Sequence, residues 1–319
     1  MTARVLVAGD ANLDLVLRGD VRPRFGQAEQ YLSDAALVLG SSAGICASGL
    51  ARLGVEVGVV ARVGTDFFGE RTRELLAAHG VDATEVATVP GPTGLSVILS
   101  DSDRSILTLP GAMVTLRVED VWAAVQRRRA THLHLASFYL VPDLCARGAE
   151  LLARARAAGL TTSLDTNWDP QESWAGVEGC LPHLDVLLPN ATEAVQLAHR
   201  LGGDPPVDAE EAADRLAARG PLVVVKDGAA GSFAVSGDRL LRTGSLAVDA
   251  VDTTGAGDSF DAGFLTAWLE GRPLEECLRW AAAAGSISVT GTGGTGRQAT
   301  RADVEAALRD LHPRGRRGD

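Results

Sequence analysis

The sequence predicts an α/β fold: a mainly parallel β-sheet with helices covering both faces. Three observations carry that expectation. Short β-branched runs alternate with longer helical patterns along most of the chain, the rhythm of βαβ units. A glycine follows several of the helical runs, at Gly80, Gly159 and Gly220, where a left-handed C-cap closes a helix. At 319 residues the chain is long enough to bury the two-faced core that such a sheet requires.

The elements follow in order. ARVLVAG (3–9) is the first strand; ASGLARLG supplies a helix and VEVGVVAR (55–62) the next strand. FFGERTRELLAAHG and VEDVWAAVQRRR place apolar residues three and four apart, the helical period. THLHLAS (131–137), the helix CARGAELLARARAAG and LTTSLDT (160–166) continue the alternation. LDVLLPN (184–190), the helices TEAVQLAHRL and DAEEAADRLAARG, PLVVVKDG (221–228) and the shorter GSFAVS (231–236) complete it. DSFDAGFLTAWLEG then reads as an amphipathic helix, and AAAAGSISVT as helical.

Two regions break the rhythm. Residues 12–38 hold alternating stretches, LDLVLRG and EQYLSDAALVL, with no helix of their own, and GLSVILSDSDRSILTL (94–109) reads as a hairpin turning at SDSD. These segments form either a small second sheet beside the main domain, a lid, or two surface hairpins. The expected lid spans about 12–38 and 94–112 of one domain over 1–312, with 313–319 as a basic, glycine-rich flexible tail.

A net charge of −11 argues against nucleic-acid or anionic-membrane partners. Cys46, Cys145, Cys180 and Cys277 are dispersed and form no C-x-x-C pair, which disfavours disulfide frameworks and cysteine-rich zinc sites. The apolar run at the start is too short for a signal peptide, and no run reaches membrane-spanning length, so the expectation is a cytoplasmic protein. His132 and His134 alternate on one strand with no third ligand nearby in sequence, which makes them core or strand-end residues rather than zinc ligands.

Two glycine motifs compete for a functional role. GTGGTG (291–296) matches G-x-G-x-x-G, the mark of a nicotinamide-dependent oxidoreductase, but it follows a helical run. Only residues 297–319 remain after it, too few to complete a dinucleotide-binding unit. It reads as a loop bordering a site. DTTGAGDSF (252–260) differs: Gly255, Ala256 and Gly257 carry almost no side chain, so their N–H groups can converge on an anion, helped by the positive end of the helix that follows. Asp258 in its first turn would lie beside that anion, the arrangement phosphoryl transfer needs. The plainer reading makes Asp258 an acid near a helix N-terminus and the glycines turn formers.

These stretches resemble, in order, the motifs of the PfkB, or ribokinase-like, family of carbohydrate kinases. LGSSAGICASGLARLG (39–54) is similar to the N-terminal glycine-rich signature, ARVGTDFFG (61–69) to V-G-x-D-x-x-G, and SLDTNWDP (163–170) to the D-x-N stretch. PNATE (189–193) carries N-x-x-E, VVVKDGAAG (223–231) K-x-G-x-x-G, and VDTTGAGDSFDAGF (251–264) the C-terminal signature. The resemblance implies a three-layer α/β/α ribokinase-like fold with a small β-sheet lid, and ATP-dependent, magnesium-requiring phosphorylation of a small sugar. It implies Asp258 as catalytic base and Gly255, Ala256 and Gly257 as anion hole. Asn190 and Glu193 would arrange magnesium through water, although N-A-T-E is equally a capping box. Lys226, Gly228 and Gly231 would lie along ATP. Asp252 resembles a ligand for a monovalent cation such as K+, or else stabilises its turn. Asp14 would hold sugar hydroxyls, with Gly40, Ser41 and Ser42 close to the sugar and Asn12, Ser137, Asp165 and Asn167 as further candidates.

Departures from the family pattern bear on specificity. Ser41 and Ile45 stand at the second glycine and the asparagine of the first signature, and Ala282 where relatives often carry asparagine near the base. The rival readings are a nucleoside kinase of the same fold and a catalytically silent sugar-binding regulator. The aliphatic strands at 94–100 and 104–109 lead to the expectation of a homodimer joined through the lid.

Overall fold

Alternation of burial along the strands decides the layering. Val5 and Val7 pack into one apolar core, Leu6 and Ala8 into another. The same split recurs far along the chain, where Val224 joins the first core and Val223 and Val225 the second. Each strand thus separates two cores, and both need helices to close them.

The structure is a computed structural model describing residues 4–101, 104–309 and 313–314. In chain order its strands are β1 (Arg4–Ala8), β2 (Leu13–Gly19), β3 (Leu32–Leu39), β4 (Glu56–Val63), β5 (Val86–Thr88), β6 (Leu95–Ser100), β7 (Arg104–Leu109), β8 (His132–Leu135), β9 (Thr161–Leu164), β10 (Val186–Leu187), β11 (Leu222–Lys226), β12 (Ser232–Ser236), β13 (Arg239–Thr243) and β14 (Pro313–Arg314). The helices are α1 (Ser42–Arg52), α2 (Phe67–Ala78), α3 (Val118–Arg128), α4 (Pro142–Ala157), α5 (Val177–Cys180), α6 (Ala191–Arg200), α7 (Ala209–Ala217), α8 (Ala256–Leu269), α9 (Leu274–Ser288) and α10 (Arg301–Ala307).

Among the described residues the large sheet has the order β14-β13-β12-β11-β10-β9-β8-β1-β4-β5. It is parallel from β5 to β11 and antiparallel from β11 to β14. α1, α2, α8, α9 and α10 close one face and α3 to α7 the other, so the three-layer expectation holds. Every strand read from the sequence is present. The short β5 and the hairpin partner β13 were not foreseen. Two residues of the expected flexible tail pair with β13 as β14, the rest of 315–319 lying outside the described residues.

One helix departs from the reading. DSFDAGFLTAWLEG was expected to be amphipathic, yet every residue of α8 from Asp258 to Ala267 is buried. It lies under α9, and its polar residues face the interior rather than solvent. Close packing makes this possible: a Cβ on Gly263 would sit 2.7 Å from the Trp280 carbonyl oxygen and 2.8 Å from Ala284 Cβ.

His132 and His134 are core residues on β8, as read. Ser163 Oγ on β9 lies 2.8 Å from His132 Nε2 and 2.8 Å from His134 Nδ1, and Thr161 Oγ1 lies 2.8 Å from His132 Nδ1. Burial holds both rings neutral, at pKa values of about 3 for His132 and about 4 for His134.

The lid alternative, rather than two separate hairpins, is the one observed. β2, β3, β6 and β7 form a second sheet in the order β3-β2-β6-β7. Residues 102–103 of the SDSD turn lie outside the described residues. Register places Asp14, Ser96 and Thr108 on one face, directed at the main domain, and Leu15, Val97 and Leu107 on the other.

The tight α8–α9 contact leads to a stability prediction. Gly263→Ala is expected to lower unfolding free energy by about 1–3 kcal/mol, because the added methyl overpacks a backbone contact. Urea denaturation measures it, and an unchanged midpoint would refute the packing account.

Candidate active site

Parallel strands deliver the site residues. Asp10, Ser137, Asp165, Asn190 and Lys226 stand at or just beyond the C-terminal ends of β1, β8, β9, β10 and β11. β1 pairs β4 on one side and β8 on the other, so chain direction across the sheet reverses at β1. The crevice above such a switch point is where open α/β sheets bind ligands.

The GAGD turn enters this crevice from α8. Gly255 caps the helix at φ 70°, and a Cβ there would lie 2.7 Å from Gly294 Cα and 3.0 Å from Ile45 Cγ2. Both the left-handed backbone and the lack of room call for glycine. Asp252 braces the turn: it accepts hydrogen bonds from the Thr254 and Gly293 N–H groups, each at 2.9 Å, and pairs with Arg18 of β2 at 3.2 Å. Arg104 of β7 donates to Thr254 Oγ1 at 3.3 Å, a second tie between the small sheet and this turn. GTGGTG is indeed a loop. It packs on the turn and on Ile45, whose carbonyl accepts from Gln298 Nε2 at 2.8 Å.

Beneath the turn lies a charged cluster. Carboxylate oxygens of Asp165, Asp258 and Asp261 lie within 4.8 Å of one another, all three residues buried. Lys226 Nζ stands 2.8 Å from Asp165 Oδ2 and 3.1 Å from Asp261 Oδ1, and a Cβ on Gly257 would lie 3.5 Å from it. Burial raises Asp258 to a pKa of about 8, with Asp165 adding to the rise; Lys226 and the Ser42 hydroxyl oppose it. Burial also pushes Asp261 up, whereas Lys226 overcomes burial at Asp165 and holds it below the usual carboxylate range.

On the other side of Asp258 lie the residues expected at the sugar. Asp14 sits so close to Gly40 that a Cβ there would be 2.0 Å from Asp14 Oδ1. Burial, with Asp10 and Asp252 adding repulsion, raises Asp14 to about 7. Asn12 Nδ2 lies 3.4 Å from both Asp14 Oδ1 and Ser96 Oγ, and Asn12 Oδ1 is buried without a partner. Ser41 caps α1 through Gly44 N–H at 3.0 Å, and Ser42 hydrogen-bonds Asp258. Three candidates are turned inward. Ser137 donates to Asp10 Oδ1 at 2.6 Å, and Asn167 Oδ1 accepts from Ser137 N–H at 2.7 Å. Asp165, expected near the sugar, accepts from Lys226 and from Asn167 N–H at 3.1 Å.

A cavity of about 310 Å³ opens on the far side of the turn, with Lys226, Gly228, Gly231, Ala256, Gly257 and Ala282 in its lining. Asn190, bridged to Lys226 of that lining, and Glu193 form the capping box of α6, each donor 2.9 Å from its acceptor. Burial and Asp165 raise Glu193 to about 7. Ala256 and Gly257 of the turn line this cavity, with the Ala256 N–H held by the Thr253 carbonyl at 3.3 Å, and the buried Asp258 follows them, so the turn can stabilise an anion on one side and take a proton on the other.

The family model for pfkB family carbohydrate kinases matches residues 3–301. This chain belongs to the pfkB family of carbohydrate kinases. An ATP-dependent ribose-1-phosphate kinase of Halopiger xanaduensis is 33% identical over 96% of this chain and 97% of its own. A nucleoside kinase of Methanothermobacter thermautotrophicus is 30% identical over 91% of this chain and 90% of its own. The structure of Arabidopsis thaliana ribokinase complexed with ribose and ATP superposes with a TM-score of 0.79 at 26% identity, covering 97% of this chain and 99% of the other. The ribokinase-like fold expected from the motifs is therefore the fold of this carbohydrate kinase.

Sequence reading of this pfkB kinase missed Asp10, Arg18, Arg104, Asp261 and Gln298. Asp261 carried a signal, since three residues after Asp258 it must share that residue's helix face. Asp10 carried a weaker one, as the acid that follows the first core strand. Arg18, Arg104 and Gln298 reach the site only through tertiary contacts and left no local mark.

The Asp258 carboxyl ordinarily titrates near 3.8 and here near about 8, so the folded kinase holds its proton more tightly than the unfolded chain. Its contribution to stability is complete below the unfolded value and is lost as pH rises through the folded one. Asp258→Asn removes this loss, so the melting temperature of the variant minus that of wild type is expected to grow from about pH 5 to about pH 9. Thermal melts across that range test it; a constant difference would contradict the burial account.

Proposed function

We propose that this kinase transfers the γ-phosphoryl group of ATP to a hydroxyl of a small sugar, with Asp258 as general base. The observation that carries the reading is the single turn that presents α8 N–H groups and a buried carboxylate between the cavity and Asp14. ATP occupies the cavity along Lys226, Gly228 and Gly231, bringing its phosphates to Gly255, Ala256 and Gly257. Asp14, Asn12, Gly40, Ser41 and Ser42 hold the acceptor so that one hydroxyl faces Asp258. The carboxylate takes that proton as the oxygen attacks, and the turn's N–H groups stabilise the transferring phosphoryl group. Asn190 and Glu193 offer oxygen donors suited to a hydrated magnesium ion, which when bound neutralises phosphate charge.

Arg18 already supplies a positive charge at Asp252, the candidate K+ ligand. We therefore expect equal turnover in potassium and tetramethylammonium buffers; strong activation by potassium would overturn this part of the reading.

A nucleoside acceptor is the second reading, favoured by Trp168, 47% exposed beside Asn167 and able to stack on a base. A panel of pentoses, hexoses, ribose 1-phosphate and nucleosides, scored for acceptor-stimulated ADP release, separates the two. Asp258→Asn is expected to lower kcat about 10²–10⁴-fold with little change in sugar or ATP affinity. A folded variant keeping more than about a tenth of wild-type kcat would remove Asp258 from this role.

The outer face of the small sheet carries Leu15, Leu17, Leu37, Val97, Leu99 and Leu107, with Leu107 59% exposed. Such an aliphatic face is matched by a second copy of itself, and we propose a homodimer joined there, working in the cytoplasm. Light scattering should give twice the chain mass for wild type and the chain mass for Leu107→Asp; a monomeric wild type at micromolar concentration would sink the dimer.

A further inference from the structure

Lys226 lines the nucleotide cavity, yet its ammonium is turned into the protein. Asp165 Oδ2 at 2.8 Å and Asp261 at 3.1 and 3.2 Å hold it from two sides. Asp258 shares this cluster, with its carboxylate within 4.8 Å of theirs. Among the described residues this is the one group of carboxylates close enough to hold a metal ion, and an ammonium already stands in it. The arrangement is rigid: Asp165 is fixed by Asn167 N–H, Asn167 by Ser137, and Ser137 by Asp10.

The groups facing Asp258 can be named element by element. Asp10 follows β1, Asp165 follows β9, Lys226 ends β11, Ser42 and Cys46 come from α1, and Asp261 lies one turn on in α8 itself. Lys226 is the cation among them. Unit charges at these separations interact by several kcal/mol at the effective dielectric of a protein site, enough to decide whether a buried carboxyl ionises.

We propose that Lys226 is a positioning residue for catalysis: an internal cation, clamped by Asp165 and Asp261, that allows the buried base Asp258 to shed its proton and so sets the pH range in which the kinase works. The inference rests on Asp258 being the base. It assigns Lys226 a role through the base rather than through ATP, and gives Asp165 and Asp261 the task of keeping the ammonium beneath the turn.

Charge counting supplies the test. In wild type Asp165 and Lys226 cancel beside Asp258, and kcat/KM is expected to rise along an acid limb near pH 8. Lys226→Met leaves an uncompensated carboxylate, so the limb should move up by about one pH unit or more. Lys226→Met/Asp165→Asn removes both charges and should bring the limb back to the wild-type position. Asp165→Asn alone should move it down, and this variant carries the test if Lys226→Met does not fold. A Lys226→Met enzyme slowed equally at every pH, or one with a raised KM for ATP and an unmoved limb, would overturn the proposal in favour of a structural or phosphate-binding lysine. So would an unmoved limb in Asp165→Asn. Should wild type turn over no acceptor, the kinase reading itself falls, and the charge coupling is read without turnover. The pH at which the melting-temperature difference between Asp258→Asn and its parent stops growing should then be higher in the Lys226→Met background, and an unchanged plateau would refute it.

Discussion

Burial of the first turns of α8 is the constraint on which the rest of this structure depends. A helix with Asp258 and Asp261 in its opening turns is costly to bury, because each carboxylate loses its hydration. The chain meets that cost with geometry. Gly263 lets α9 approach backbone to backbone, Gly255 turns the entering loop through a left-handed conformation, and Lys226 rises from β11 to meet the acids. Remove the close helix contact and the turn would not reach the crest of the sheet; remove the ammonium and the acids would repel one another there.

The small sheet is bound to the same constraint. Arg18 and Arg104 reach from β2 and β7 to Asp252 and Thr254, the residues that shape the turn before Gly255. The small sheet, proposed to cover the acceptor, and the GAGD turn, proposed to hold the anion, are therefore one connected unit. Val38 of β3 also packs on Gly293, so the glycine loop at 291–296 is gripped by the small sheet on one side and by Asp252 on the other.

Much of this was legible in the sequence, for reasons that are themselves physical. Strands such as LVVVK announce themselves as short β-branched runs buried on both faces, and helices such as VEDVWAAVQRR because burial repeats with the helical period. The GAGD turn is legible because few residue types can form it. α8 was misread because the pattern argument assumes that polar residues mark a solvent face, and here Asp258, Ser259, Asp261 and Thr266 mark an interior polar site. Resemblance makes Asp165 one of several further candidates on the sugar side, and its lysine partner, 61 positions away, is brought to it only by the parallel order of β9, β10 and β11. The arginines from the small sheet were hidden for the same reason: nothing near Arg18 in sequence says that Asp252 will be its neighbour.

The histidine pair on β8 has a consequence of its own. Each hydroxyl in that ladder owns a single proton. Thr161 donates to the Thr131 carbonyl, so it can only accept from His132 Nδ1. His132 Nε2 must then take the Ser163 proton, and Ser163 in turn must accept from His134 Nδ1. The ladder ends at His134 Nε2, which has no partner. One choice at the start of β9 thus dictates both tautomers through the sheet's interior. A proton added to His132 would make Nε2 a donor and leave the Ser163 hydroxyl proton without its acceptor, which ties the neutrality of His132 to the register of β8 against β9.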